Sequence, residues 1–334
     1  MLLKNADVQV RDKSITPDTA LIVNPNSYSG LTGKNWDELY EKMEKIFGNG
    51  IKVAFSKRSG NGTTLARDML RKGFDKIVAI GGDGTINEVA NGFFEEWTGV
   101  RSGHKLRPIN PDAAMGIVPC GTRNVLAKSL GLPAGVVESC QNFIAGSTKK
   151  IDVISVVTAN PDAASRLAPR IFLNAAEMGV GEEIIDRSKR LRSKVKSRFV
   201  STVAAVVSTL PAYESNLCDF FVDGRKNSAN MTMAVVANGK FLGGGFIAAP
   251  EADMADGLLD LMVLKDSGSL KMLDELANLK TGHYAGEDKI LYSKAKKVLI
   301  TSMKRRVTVT IDGEPVGILP ATFQVLPEAL TVVT

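Results

Sequence analysis

The sequence predicts an α/β chain in two parts, a doubly wound parallel domain followed by an antiparallel β-rich one. Three observations predict it. Strand-like apolar runs alternate with helical patterns as far as Gly146, which implies a parallel sheet with helices on both faces. After Gly146, strand-like runs follow one another with few helices between them, which favours antiparallel pairing. The 334 residues exceed one ordinary core and suit two.

The elements follow in order. Thr19–Val23 is a short apolar run that stops at Asn24-Pro25, a strand then a turn. Asp37–Phe47 carries Leu39, Met43, Ile46 and Phe47 at helical spacing, and Ile51–Phe55 is β-like. Leu65, Met69 and Leu70 share a helical face, and Lys76–Ile80 is a strand. Ile86, Val89, Ala90, Phe93, Phe94 and Trp97 then recur at helical spacing, predicting an amphipathic helix as far as Trp97. Met115–Val118 reads as a strand and Asn124–Leu130 as a helix. In the second part Ile151–Val157, Ile171–Leu173, Asp219–Val222, Met231–Val236, Leu258–Leu264, Lys297–Thr301 and Val307–Ile311 read as strands. Helices are expected over Glu182–Leu210 and Leu270–Lys280. The boundary is placed at Gly146, giving domains 1–146 and 147–334, with the C-terminal end expected to pack back on the first. The first domain is Rossmann-like, the second β-sandwich-like.

Composition excludes several classes. With 44% hydrophobic and 23% charged residues the chain reads as soluble and globular. No stretch approaches the roughly 18 uncharged apolar residues of a membrane span. Met1–Asp18 has no apolar core, so no signal peptide is expected. Cys120, Cys140 and Cys218 form no CxxC pair and suit a reducing cytoplasm as small buried hydrophobes. His104 and His283 are the only histidines, and HExxH and GxSxG are absent, against zinc proteases and α/β-hydrolases. The net charge of +6 invites anionic partners. No basic patch interleaved with aromatics points to nucleic acid.

The chemistry concentrates at Gly81-Gly82-Asp83-Gly84-Thr85, which joins a strand to a helix. Glycines let backbone amides approach a phosphate, and a helix start adds free N–H groups and a positive dipole end. Thr85 with Glu88 three residues on also fits a capping box, which alone would make this a plain glycine turn. Asp83 would repel a bare phosphate and makes sense beside Mg²⁺. The loop is neither a Walker A nor a GxGxxG fingerprint.

At this loop the sequence resembles the diacylglycerol kinase catalytic-domain family, which includes sphingosine, ceramide and bacterial lipid kinases. NAD kinases and phosphofructokinases share the GGDG loop, so the loop alone leaves the acceptor open. The ordered matches cover nearly the whole chain. Asn24-Pro25 with Ser29-Gly30 is similar to an NPxSG nucleotide segment bearing an insertion, and Ser56 stands where the family has a nucleotide-contacting Thr. Gly81–Glu88, reading GGDGTINE, closely resembles the family loop and includes Asn87 and Glu88. Gly116–Asn124 resembles the second loop, GxxPxGTxN, implying ATP contacts from Gly121, Thr122 and Asn124. Asp256–Asp260 resembles DGxLD, which implies Mg²⁺ ligation by Asp253, Asp256 and the Leu258 carbonyl. Asp312-Gly313-Glu314 resembles the DGE element, implying Glu314 as catalytic base, with Asp312 orienting it or sharing the role. Asp-Gly after a β-run equally predicts a hairpin turn, and a turn is compatible with presenting Glu314 to an interdomain cleft. Val125 and Arg123 depart from the family pattern and bear on acceptor preference or activity.

The resemblance therefore implies an ATP- and Mg²⁺-dependent lipid kinase. Arg187, Lys189, Arg190, Arg192, Lys194, Lys196 and Arg198 form a basic run beside Leu191, Val195 and Phe199. A basic amphipathic helix suits peripheral contact with anionic membrane; it equally suits a solvated face. Gly243-Gly244-Gly245 reads as a flexible connection or a cleft wall. A cytoplasmic protein acting at the membrane is expected, with homodimerisation open. A soluble acceptor such as NAD, or a non-catalytic nucleotide or lipid sensor, are the alternatives.

Overall fold

The computed structural model describes residues 19–48, 51–97, 106–192, 204–205, 208–209, 213–243, 246–266, 278–283, 288–303 and 305–334. Met1–Asp18, His104, Gly244-Gly245, Lys194–Phe199 and most of the expected helices beyond Arg192 and after Leu270 lie outside the described residues, as do the Lys189 and Arg192 side chains.

The first part contains β1 (Thr19–Val23), α1 (Leu31–Lys34), α2 (Trp36–Phe47), β2 (Lys52–Phe55), α3 (Asn61–Arg71), β3 (Lys76–Gly81), α4 (Asp83–Gly92), β4 (Ala114–Pro119), α5 (Val125–Ser129) and α6 (Val136–Ala145). Its strands pair in parallel in the order β2-β1-β3-β4. Alternate residues of β1 and β3 divide between two apolar layers. Ala20, Ile22, Ile77 and Ala79 pack with Met69 of α3 and Ile86 and Val89 of α4. Leu21, Val23, Val78 and Ile80 pack with Met43 and Phe47 of α2 and Phe143 of α6. Burial on both faces explains why these strands read as continuous apolar runs.

The second part contains β5 (Thr148–Ala159), β6 (Arg170–Phe172), β7 (Ala175–Gly179), α7 (Val180–Arg192), β8 (Asn216–Val222), β9 (Arg225–Ala237), β10 (Leu259–Lys265), β11 (Ile290–Ala295), β12 (Lys297–Ser302), β13 (Thr308–Ile311) and β14 (Glu314–Val333). Antiparallel pairing links β9, β7, β13, β14, β12 and β8 and returns to β9. The closed sandwich holds Met178, Phe220, Val236, Ile300, Val309 and Phe323 in its core.

β14 serves both parts. It pairs with β13, β12 and β5, and then runs parallel to β4 at Thr331 and Val332. Leu330 and Val332 thereby join the α3–α4 core of the first part.

Two expectations change. The helix expected to reach Trp97 ends at Gly92. There the chain turns to pair with the 107–109 segment, and Glu95 N donates to the Arg107 carbonyl at 2.8 Å. Phe93 and Phe94 still bury their rings, so the apolar spacing outlasted the helix. In addition, α1, α6, β7, β11 and β14 were not foreseen. β14 carries Gly317, Pro320 and Pro327, which read as breakers but fall where its pairing shifts register.

Truncating Leu330 to Ala removes a side chain buried in the first domain's core. Such losses cost about 2–5 kcal/mol. Urea unfolding followed by probes in both domains should show the first domain destabilised by that amount.

Candidate active site

β3 ends at Gly81, Gly82 precedes the first helical turn, and α4 begins at Asp83. The glycines are needed sterically. A Cβ on Gly81 would lie 2.6 Å from Thr85 Oγ1, and one on Gly121 would lie 2.4 Å from the Gly82 Cα. The two loops are therefore in backbone contact. Asn24 Nδ2 donates to Thr85 Oγ1 at 2.9 Å, tying the end of β1 to the loop. Ser56 is buried just after β2, and its N–H donates to the Val23 carbonyl.

The capping box that Thr85 and Glu88 would allow does not form. Thr85 lies inside the first turn, not before it. Glu88 instead reaches out of the helix, its Oε1 accepting from Gly60 N at 2.7 Å and its Oε2 from Gly62 N at 2.9 Å. It closes the start of α3, where an acid is favoured by the helix dipole.

The second loop is held by Asn124 in the left-handed region at φ 49°. Its Oδ1 accepts from Gly121 N at 2.9 Å and its amide donates to the Pro119 carbonyl. Asn124 thus shapes the loop, while Thr122 is exposed beside it. Asp83 Oδ1 accepts from Leu126 N at 3.1 Å, so the first loop's carboxylate caps the helix that follows the second.

The Asp312-Gly313 turn between β13 and β14 has φ values of 46° and 90°, both positive as tight hairpins require. Asp312 faces inward. Its Oδ2 accepts from Asn87 Nδ2 at 2.8 Å and Leu173 N at 3.1 Å, and its Oδ1 from Asn174 N at 3.1 Å and Ala175 N at 3.0 Å. Burial pushes its pKa up while these donors pull it back. Its oxygens are committed to bracing, so Asp312 positions the site. Asn87 likewise belongs to this brace.

Glu314, the first residue of β14, lies on the glycine loop. A Cβ on Gly84 would meet Glu314 Oε1 at 2.8 Å, so the carboxylate packs directly against the bare Gly84 backbone. Arg170 stands 3.8 Å from Glu314 Oε2.

Asp83, Val125, Glu177, Gly243 and Arg123 line one pocket with Asp312. Glu177 was missed by sequence reasoning, although an acid inside the apolar run Phe172–Val180 was a usable signal. Burial pushes its pKa up, opposed by the Arg123 charge and reinforced by Asp312. A Cβ on Gly243 would meet Arg123 Nη1 at 2.6 Å, and one on Gly313 would lie 3.5 Å from Nη2. Arg123 therefore reaches from the first domain onto the second.

The expected metal ligands are arranged differently. Asp253 Oδ1 accepts from Ala255 N, and Asp256 Oδ1 from Leu258 N. Asp256 Oδ2 faces the Lys294 ammonium at 2.7 Å. Among the described residues no group of three or more His, Cys, Asp or Glu side chains is placed to hold a metal ion. With an ammonium already on Asp256, these residues do not fit a divalent cation.

A glycine loop at a helix start, faced by acids from a closed β-sandwich, defines a two-domain phosphotransferase architecture. Residues 18–156 match the diacylglycerol kinase catalytic domain, and residues 176–334 the YegS C-terminal NAD kinase beta sandwich-like domain. The chain therefore carries a diacylglycerol kinase catalytic domain followed by a YegS-type C-terminal domain. It is 25% identical over 306 residues to a diacylglycerol kinase of Bacillus subtilis (strain 168), covering 91% of each chain. It is 26% identical over 317 residues to a diacylglycerol kinase of Staphylococcus carnosus (strain TM300), covering 94% of each. A solved diacylglycerol kinase structure from Bacillus anthracis str. Sterne shares the fold with TM-score 0.68 and 23% identity, over 95% of this chain and 96% of that one.

The raised Glu177 pKa has a sign. A carboxyl that holds its proton more tightly when folded contributes stability at low pH that is lost as pH rises through the folded pKa. Glu177→Gln should therefore melt higher than wild type at pH 8, with the gap closing toward pH 4. A pH series of melting curves checks this, and a gap independent of pH would contradict it.

Proposed function

We propose that this protein is an ATP- and Mg²⁺-dependent lipid kinase that transfers the γ-phosphate to the hydroxyl of a membrane lipid such as diacylglycerol. The observation that carries this reading is the Glu314 carboxylate lying against Gly84 of the phosphate loop. A base supplied by the second domain thereby meets the phosphate-binding end of the first.

Phosphoryl transfer depends on positioning and charge neutralisation. The loop amides at Gly81–Thr85, the start of α4 and Thr122 hold the ATP phosphates. Ser56 and Asn24 stand at the ends of neighbouring parallel strands, where ligands of such sheets bind. Asp83 keeps one oxygen on Leu126 N and lines the pocket; its hard oxygen chemistry fits Mg²⁺. When bound, Mg²⁺ supplies neutralisation of the charge developing on the phosphates. Glu314 removes the proton from the acceptor hydroxyl as that oxygen bonds to the γ-phosphorus. The bond from phosphorus to the β-bridging oxygen breaks, and ADP leaves. Arg170 stands beside this carboxylate, 3.8 Å from Glu314 Oε2.

A groove beside this base supports a lipid acceptor. About 680 Å³ in volume, it is lined by Val156, Leu167, Arg170, Pro315, Val316 and Ile318. Arg170 and Pro315 border Glu314 directly, so an acyl chain in the groove leaves its hydroxyl end near the carboxylate. No described helix is long and apolar enough to cross a membrane. Peripheral contact through the α7 region, where Arg187 and Arg190 are exposed, completes the proposal. Arg187 also donates to the Ser208 carbonyl.

The test is turnover with Mg-ATP and a panel of lipid vesicles, with NAD as a soluble acceptor in parallel. Phosphorylated lipid is expected, and product from NAD alone would overturn the lipid reading. Glu314→Gln should lower kcat by about 10²–10⁴-fold with ATP binding unchanged. Unaltered turnover would remove Glu314 from the role of base.

A further inference from the structure

We infer that Lys294 is the built-in cation of the 251–260 segment, and that this segment folds without a divalent metal. The inference is independent of the acceptor.

Lys294 sits on β11 directly opposite Asp260 of β10. Its ammonium donates to Asp256 Oδ2 at 2.7 Å and to the Glu251 carbonyl at 3.0 Å, and lies 3.7 Å from Asp260 Oδ1. One cation thus gathers two carboxylates and a backbone carbonyl from both ends of the segment. Those are the hard oxygen ligands that a metal would otherwise collect.

The remaining polar groups are largely committed. Asp260 is 1% exposed and accepts a hydrogen bond from the Tyr292 hydroxyl. Asp256 has given its second oxygen to Leu258 N, and Asp253 has given one to Ala255 N. On the other side, Asp152 is fully buried. Its Oδ2 accepts from Gly257 N at 2.7 Å, its Oδ1 from Glu328 N at 2.8 Å, and its own N–H donates to the Met254 carbonyl at 2.6 Å. The segment is therefore clamped between Asp152 and Lys294. A dication sharing Asp256 would stand within a few ångströms of the ammonium, and like charges at that range repel strongly.

Lys294 also explains how Asp260 remains in the sheet. A buried carboxylate is tolerated when it is paired and hydrogen-bonded, and here lysine and tyrosine provide both. Removing the ammonium leaves acids that a free cation is then able to satisfy.

The experiment uses the full chain purified without chelator. Elemental analysis should find well under one equivalent of bound divalent metal, and excess EDTA should leave the melting temperature of the wild type unchanged. Lys294→Met should melt about 5 °C lower and gain several degrees from millimolar Mg²⁺ or Ca²⁺, which leave the wild type unmoved. Lys294→Arg, which keeps the charge, should remain indifferent to metal. One equivalent of tightly held metal together with a lower melting temperature in EDTA would overturn the inference, as would a Lys294→Met variant that melts like wild type. If Lys294→Met fails to fold, the wild-type measurements and Lys294→Arg decide the matter. EDTA will stop any Mg-ATP turnover under either outcome, so melting and metal content, not activity, are the readouts.

Discussion

The Asp312 carboxylate is the joint on which the rest of the site depends. It accepts from three consecutive backbone N–H groups at 173–175 and from Asn87 on the phosphate-loop helix. One side chain at a β-hairpin turn therefore links β13, the entry to β7 and α4. Buried networks of this kind hold a unique geometry when every member is satisfied, and are costly when one is missing. Because Asp312 fixes the turn, Glu314 leaves it in a defined direction and lands on Gly84. There the carboxylate lies against the bare Gly84 backbone.

The covalent path reinforces that joint. β14 begins at Glu314, crosses the sandwich and ends beside β4 of the parallel sheet. The Asp312–Glu314 turn and the glycine-loop helix are thus tied twice, once by the Asp312–Asn87 hydrogen bond and once by strand pairing at the far end. Arg123 adds a contact in the opposite sense, extending from the second glycine loop toward Gly243 and Gly313. With Glu177 and Asp312 in the same pocket, it supplies positive charge where acids would otherwise accumulate.

β1, β3 and β4 were legible because they are buried on both faces and stop at Asn24-Pro25, Gly81 and Pro119. The glycine loop was legible for a related reason: Gly81 and Gly121 each stand where a Cβ would collide. Other features depend on contacts far apart in sequence. Glu88 has the spacing of a local capping box, yet closes a different helix. The 86–97 pattern kept its apolar period while the backbone left the helix to bridge Pro108. β14 reads as loop because its prolines and Gly317 coincide with irregularities that only its partners reveal. The Asp253–Asp260 acids resemble a metal loop until Lys294, more than thirty positions on, is brought across by β10–β11 pairing. In each case a long-range partner decided between two readings that were locally equivalent.

The most direct test of the joint is hydrogen exchange on Asp312→Asn, which puts an amide N–H₂ where one of the accepting oxygens stood. The account predicts faster exchange both at residues 173–175 and along α4, because one carboxylate protects both. Exchange unchanged in α4, or loss of protection confined to the β13–β14 turn, would contradict it.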